Sequence, residues 1–232
     1  MRVVSCVASG ILVLGAVSSV AGAQNPAPAP AQQQPAAPMS FFITSSGKGD
    51  GGNLGGLAGA DARCTELAAA SGTPIAPGRT WRAYLSAVGT DGRPIHARDR
   101  IGTGPWHNAK GAMIAANVAD LHGDIIRDRN QINKLNAITE KGAMVNGAGD
   151  TPNVHDILTG SDTEGRALPG RIDTTCDSWT SNATTGSAFV GHHDRTGGGS
   201  TSWNSAHPSR GCSQQNLVST GGAGLLYCFG AN

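Results

Sequence analysis

Residues 57–72, LAGADARCTELAAASG, decide how the rest of the chain is read. Leu57, Ala60, Cys64, Leu67 and Ala68 recur at helical spacing and share one face, and Gly72 stands where a glycine past the last turn ends a helix. The spacing predicts one amphipathic helix with a cysteine on its buried side. Just downstream, Trp81-Arg82-Ala83-Tyr84-Leu85-Ser86 alternates. It puts Trp81, Ala83 and Leu85 on one side and Arg82, Tyr84 and Ser86 on the other, the pattern of a half-buried strand. Upstream, residues 41–44 are apolar enough for a first strand, and the glycine-rich 47–56 turn the chain into the helix. Residues 117–122 predict a short second helix, and 123–171, dense in Gly, Asn and Asp, predict long ordered loops with short strands. Residues 187–190 and 224–229 (GLLYCF) read as late strands, the second apolar enough to be central. The pattern is α+β, with one main early helix, a mostly antiparallel sheet and long loops.

Composition agrees. Of 232 residues 34 are Gly, 14% are charged and 4% are aromatic, which excludes a helical bundle, a coiled coil and a polytopic membrane protein. Arg2, the apolar stretch 7–20 and the Ala21-Gly22-Ala23 cleavage signal predict a signal peptide over 1–23. Residues 24–38, rich in Pro, Ala and Gln, predict an extended linker, and 39–232 the folded domain. Cys6 precedes the apolar stretch, so no lipid anchor is expected. The expected location is secreted or periplasmic, in a chain of bacterial character. Without Arg2, 16 basic residues face 16 acidic ones, so neither nucleic acid nor membrane insertion is expected of the mature chain. Four cysteines remain, Cys64, Cys176, Cys212 and Cys228, and an even number in an oxidising compartment argues for two disulfides. Their spacing leaves all three pairings open.

Several stretches match a known family in order. Gly55 to Cys64 (GGLAGADARC) is followed by Trp81 to Ser86 and by Thr159 to Arg166 (TGSDTEGR). Cys176-Asp177-Ser178-Trp179 and Tyr227-Cys228-Phe229 complete the series. Together they resemble the endostatin domain of certain collagens. The chain is also similar to exported bacterial endostatin-like proteins, sometimes labelled lectins, in Gly191 to Arg195 (GHHDR) and Trp203 to Cys212 (WNSAHPSRGC). The resemblance implies a C-type-lectin-like fold with nested disulfides, Cys64–Cys228 outside Cys176–Cys212. Two departures limit it: the zinc-binding histidines of endostatin have no counterpart at 39–44, and its basic heparin-binding face is not matched by a neutral chain. The calcium triplets of sugar-binding C-type lectins correspond in order to Thr151-Pro152-Asn153 and Trp203-Asn204-Ser205. Each lacks its carboxylate, which weakens a calcium site unless Asp150 or Asp156 replaces it.

His192, His193 and Asp194, with His207 farther on, are the densest group of potential metal ligands, and imidazole with carboxylate suits zinc. Adjacent strand residues point to opposite faces, however, so His192 and His193 do not share an ion unless the backbone bends. The plainer role for these side chains is hydrogen bonding to loop backbone. Gly47-Lys48-Gly49-Asp50-Gly51-Gly52 fits G-x-G-x-x-G, but the helix starts too late to meet a pyrophosphate. No hydrolase elbow, zincin or P-loop motif occurs. Trp81 and Trp179 read as core, whereas Trp106 and Trp203 lie in polar loops where an indole can stack on a sugar.

These features predict a non-enzymatic, exported binding module for a glycan or an extracellular or envelope protein. Its ligand loops are expected at 150–156, 191–195 and 203–207. Trp203 would stack there, with Asn204, His193, Asp194, His207 and Asn153 around it. No cofactor is expected; zinc and calcium are the ions weighed. The alternatives are an exported metal-dependent or Ser/His hydrolase and a structural envelope protein.

Overall fold

In the computed structural model the first three elements form where alternation and helical spacing predict them: β1 (Phe41–Ile43), α1 (Gly56–Ala69) and β2 (Thr80–Ala83). Two short hairpins follow, β3 (Ala87–Val88) with β4 (Pro94–Ile95) and β5 (Trp106–His107) with β6 (Met113–Ala115). A helical turn, Val118–Leu121, is capped by the Asn117 side chain, which accepts the Asp120 N–H at 2.9 Å. Then come β7 (Asp156–Leu158), β8 (Phe189–His192), β9 (His207–Pro208), the helix Gln214–Thr220 and β10 (Gly222–Ala231). Residues 36–123, 127–170, 172–197 and 200–232 are described, besides Met1 and Val3. The expected leader, apart from those two, and the linker before residue 36 lie outside the described residues. No described helix is long and apolar enough to cross a membrane.

Strand β10 organises the sheet, as its apolar sequence predicts, and is longer than expected at both ends. It pairs antiparallel with β1 and β2 and parallel with β7; β8 and β9 continue the sheet in antiparallel steps, in the order β1-β10-β7-β8-β9. Successive strand residues face opposite ways, so β10 feeds two cores. Leu226 and Cys228 join Leu54, Cys64, Leu67, Trp81 and Trp179 on the α1 side. Leu225, Tyr227 and Phe229 join Phe41, Tyr84, Trp106 and Trp203 on the other. Tyr84 and Ser86, expected on a solvent face, are therefore fully buried, because the sheet is covered on both sides.

Both disulfides lie in the α1-side core. Cys64 bonds Cys228 and Cys176 bonds Cys212, the second bridge nested within the span of the first, which is the pairing the resemblance implies. The outer bridge ties α1 to β10. The inner one anchors Cys176–Trp179, four successive residues with φ between 47 and 69°, a left-handed turn that L-residues adopt at a cost. The Trp179 indole N–H donates to the Ser86 carbonyl at 2.8 Å and the Ser178 hydroxyl to the Val88 carbonyl at 2.9 Å, holding that turn against β3. Two bridges accord with an oxidising, extracytoplasmic location.

Charges near each other in sequence pair with distant partners. Arg100 and Arg82 both meet Asp61 of α1 at 2.7 Å, and Asp128 meets Arg195 at 3.0 Å, so these ions tie loops to the framework across the chain.

Candidate functional site

Strand pairing at the far end of the sheet assembles a cluster that no short stretch of sequence contains. Asp156, the first residue of β7, lies directly opposite His192, the last of β8, and His207 begins β9 opposite Val190, two residues along β8 from His192. His155 stands just before β7, where the Asn153 side chain accepts its N–H at 3.2 Å and bends the backbone. Beyond Asp156 the pairing of β7 with β10 shifts register between Gly222 and Leu225, an irregularity of the kind that re-aims side chains.

The Oδ1 atom of Asp156 is the hub. Nε2 of His192 lies 3.2 Å from it, Nε2 of His155 3.3 Å and Nε2 of His207 3.6 Å, while the His192 and His207 Nε2 atoms are 2.9 Å apart. Asp156 is only 2% exposed, yet neither of its carboxylate oxygens has a hydrogen-bond partner. The opposite edges of the three rings explain this. His155 Nδ1 meets Asp194 Oδ1 at 3.2 Å, His192 Nδ1 meets the Ser200 carbonyl at 2.9 Å, and His207 Nδ1 meets the Pro208 carbonyl at 3.2 Å. Carboxylate and carbonyl oxygens only accept, so Nδ1 is the donor on each outer edge, and a ring that carries no second proton presents its Nε2 lone pair to Asp156. Lone pairs facing a buried carboxylate repel unless a cation lies among them. Ligand atoms of His155, Asp156 and His192 all lie within 4.8 Å of one another, a group that could hold a metal ion, and His207 stands beside it, 2.9 Å from His192 and 3.6 Å from Asp156.

The surroundings hold the rings in place. Asp194 accepts the N–H groups of Ala148 at 2.6 Å and Thr196 at 3.0 Å as well as facing His155. Burial alone would raise its pKa, but these donors outweigh it and hold the carboxyl at about 2. His155 and His192 stack with centroids 4.2 Å apart, so the two rings must fan open to meet one ion. Gly197, at φ +126°, lets the backbone pass close to the rings, since a Cβ there would approach His192 Cε1 to 3.0 Å. Burial pushes the His192 pKa down, and the Asp156 carboxylate beside it overcomes that, so the net shift is upward.

Of the residues expected in a site, His192 and His207 belong to this cluster. Asp194 stands behind it, orienting His155 rather than aiming at the centre. His193 points the other way, as strand alternation requires. It is buried, its Nε2 meets the Asn146 carbonyl at 3.1 Å, and burial lowers its pKa. Its bond to the loop backbone sets it apart from the Asp156 cluster, and its buried Nδ1 has no hydrogen-bond partner. Asn153 acts on its own backbone through the bend at His155. Asp150 pairs with Lys134 at 2.5 Å instead of supplementing a calcium site.

Trp203 and Asn204 overturn the expected stacking surface. Trp203 is fully buried against Tyr84 and Tyr227, with centroids at 4.8 and 5.3 Å. Its carbonyl accepts the Tyr227 hydroxyl at 2.8 Å. Asn204 is fully buried too, donating to the Tyr84 hydroxyl and the Asp162 carbonyl, each at 3.0 Å. Gly191 permits this packing, because any Cβ there would overlap the Trp203 carbonyl. Trp106 is likewise buried, edge-on to Phe229 at 5.3 Å. Polar, glycine-rich neighbours suggested exposure for all three, but the loops that carry them fold over the second core. The sequence did not single out His155, and it offered Asp156 only as a substitute carboxylate for a calcium site; the usable signal was Asp156 opening a short apolar run, Asp-Ile-Leu, preceded by a histidine. No protein-family model matches the chain, and no curated protein matches it.

Proposed function

We propose that this chain is an exported, non-enzymatic binding domain of the C-type-lectin-like class that holds one divalent transition metal, zinc by ligand chemistry. His155, Asp156, His192 and His207 are its ligands. The single observation that carries the reading is the buried Asp156 carboxylate without a hydrogen-bond partner, faced by three imidazole nitrogens at 3.2 to 3.6 Å. Three nitrogens and one carboxylate oxygen suit zinc, whereas calcium wants six to eight oxygens. Three ligands come from the buried group His155, Asp156 and His192, and His207 at its rim supplies the fourth. Support for the class comes from the nested disulfides and the early helix tied to the last strand. A glycan ligand has lost Trp203 and Asn204 as contacts, so the metal replaces it as the ligand proposed.

The test is equilibrium dialysis of the oxidised chain against micromolar zinc, followed by elemental analysis. The expected result is one zinc per chain, with less than a tenth of that in Asp156→Ala and His192→Ala. Wild-type protein that emerges without zinc while retaining its fold would overturn the reading.

A further inference from the structure

We infer that the His207 corner of this centre is an exchangeable coordination position that admits a small oxyanion, a carboxylate or a phosphate, from solvent. The inference rests on the zinc reading and adds the class of ligand that the bound ion would take.

The four ligands are held very unequally. The side chains of Asp156, His192 and His155 are 2%, 2% and 9% exposed, and that of His207 is 34% exposed. His155 is braced by Asp194, itself gripped by two backbone N–H groups, and His192 by a carbonyl eight residues away. The outer edge of the His207 ring meets the carbonyl of its own neighbour, Pro208, and its inner edge meets the His192 ring. Its strand, β9, is two residues long and ends the sheet, paired to β8 alone among the described strands. Its Nε2 is also the farthest of the three from Asp156 Oδ1. Rotating His207 outward therefore breaks the fewest contacts, and it uncovers the ion on the solvent side.

Charge and space fix what enters. A divalent ion with one carboxylate and neutral imidazoles keeps one positive charge, which favours an anionic oxygen over a neutral ligand. The void beside Asp156, lined by Leu158, Val190, Leu217, Ser209 and Thr220, is too small for a water molecule, so no ligand reaches Asp156 through it. Only the coordinating oxygen of the anion needs to reach the metal, and the remainder stays in solvent. A carboxylate or phosphate meets these conditions.

Cobalt(II) in place of zinc makes the position visible, because its visible absorption reports the ligands around a tetrahedral ion. The full chain loaded with one cobalt is titrated with acetate and, separately, with inorganic phosphate, and bound cobalt is measured at the end. The expected result is a saturable spectral change with cobalt retained. His207→Ala should bind cobalt about tenfold more weakly and respond to at least tenfold lower anion concentrations; His207→Gln, which preserves bulk at the sheet edge, should do the same if the Ala variant misfolds. A wild-type spectrum that stays constant to a large excess of both anions, or that changes only as cobalt is stripped from the protein, would overturn the exchangeable position while leaving the metal centre standing. Failure to bind cobalt at all would instead remove the centre on which the inference rests.

Discussion

The pocket around His122 and the cluster around Asp156 are built from the same materials, buried imidazoles beside polar side chains, and they are wired in opposite ways. At His122 the Nδ1–H donates to the Val118 carbonyl at 2.9 Å and Nε2 accepts the Tyr84 hydroxyl at 2.7 Å. Tyr84 in turn accepts the Asn204 amide at 3.0 Å, and Asn204 accepts the Ser202 hydroxyl at 3.0 Å. Apart from the Trp203 indole N–H, every polar side chain of that pocket has a partner. Around Asp156 the three outer ring edges have partners and the His192 and His207 Nε2 atoms meet each other, while the two carboxylate oxygens have none. A buried polar group without a partner costs about 1–3 kcal/mol, and more when charged. The first arrangement is a closed network that specifies a core. The second bears a cost that only a cation among the rings relieves.

If the first pocket is core, truncating it must unfold the protein without touching the metal. Trp203→Ala is expected to cost about 3–5 kcal/mol in urea unfolding, because it empties a large cavity between Tyr84 and Tyr227. Zinc stoichiometry of whatever remains folded should be unchanged. A normally stable Trp203→Ala protein would put that side chain back on the surface and dissolve the contrast.

The next largest effect is on acid stability. Burial pushes the His122 pKa down to about 4, so between pH 6.5 and 4 the unfolded chain takes up a proton that the folded chain refuses. Its contribution is therefore complete above pH 6.5 and is lost as pH falls, by about 3 kcal/mol at pH 4. His122→Gln retains both hydrogen-bonding senses and should flatten that limb, measured as the difference in unfolding free energy between pH 7 and pH 4.5. Equal losses in the variant and the wild type would assign the acid limb elsewhere.

The smallest effect separates two adjacent residues. His193→Gln should cost about 1 kcal/mol, the worth of one hydrogen bond, and leave zinc affinity unchanged, whereas His192→Gln should weaken zinc at least tenfold. Similar zinc losses in both variants would mean that the backbone bends to bring His193 into the centre.

These contrasts also show what was legible in the sequence. The helix with its inward cysteine, the apolar last strand and the split between His192 and His193 follow from local periodicity, which is a property of neighbouring residues. The centre was half legible. His192 and His207 stood out by density, but Asp156 reaches them only because β7 pairs with β8, and strand pairing between distant segments leaves no mark in either one alone. Trp203 was misjudged for a related reason: its loop is polar, and the aromatic face that covers it, Tyr84 and Tyr227, comes from β10 and the end of β2 far away in the chain.

That Asp156 is a metal ligand is tested most directly by the thermal stability of wild type and Asp156→Asn at pH 8, in EDTA and in excess zinc. In EDTA the Asn variant should be at least as stable as wild type, because an amide can donate to the lone pairs that a carboxylate repels. Zinc at a thousandfold over its dissociation constant should stabilise wild type by about 4 kcal/mol and the variant by a small fraction of that. A variant that is much weaker than wild type in EDTA, with zinc moving neither protein or both alike, would show that Asp156 is a structural carboxylate and that the cluster is no metal centre.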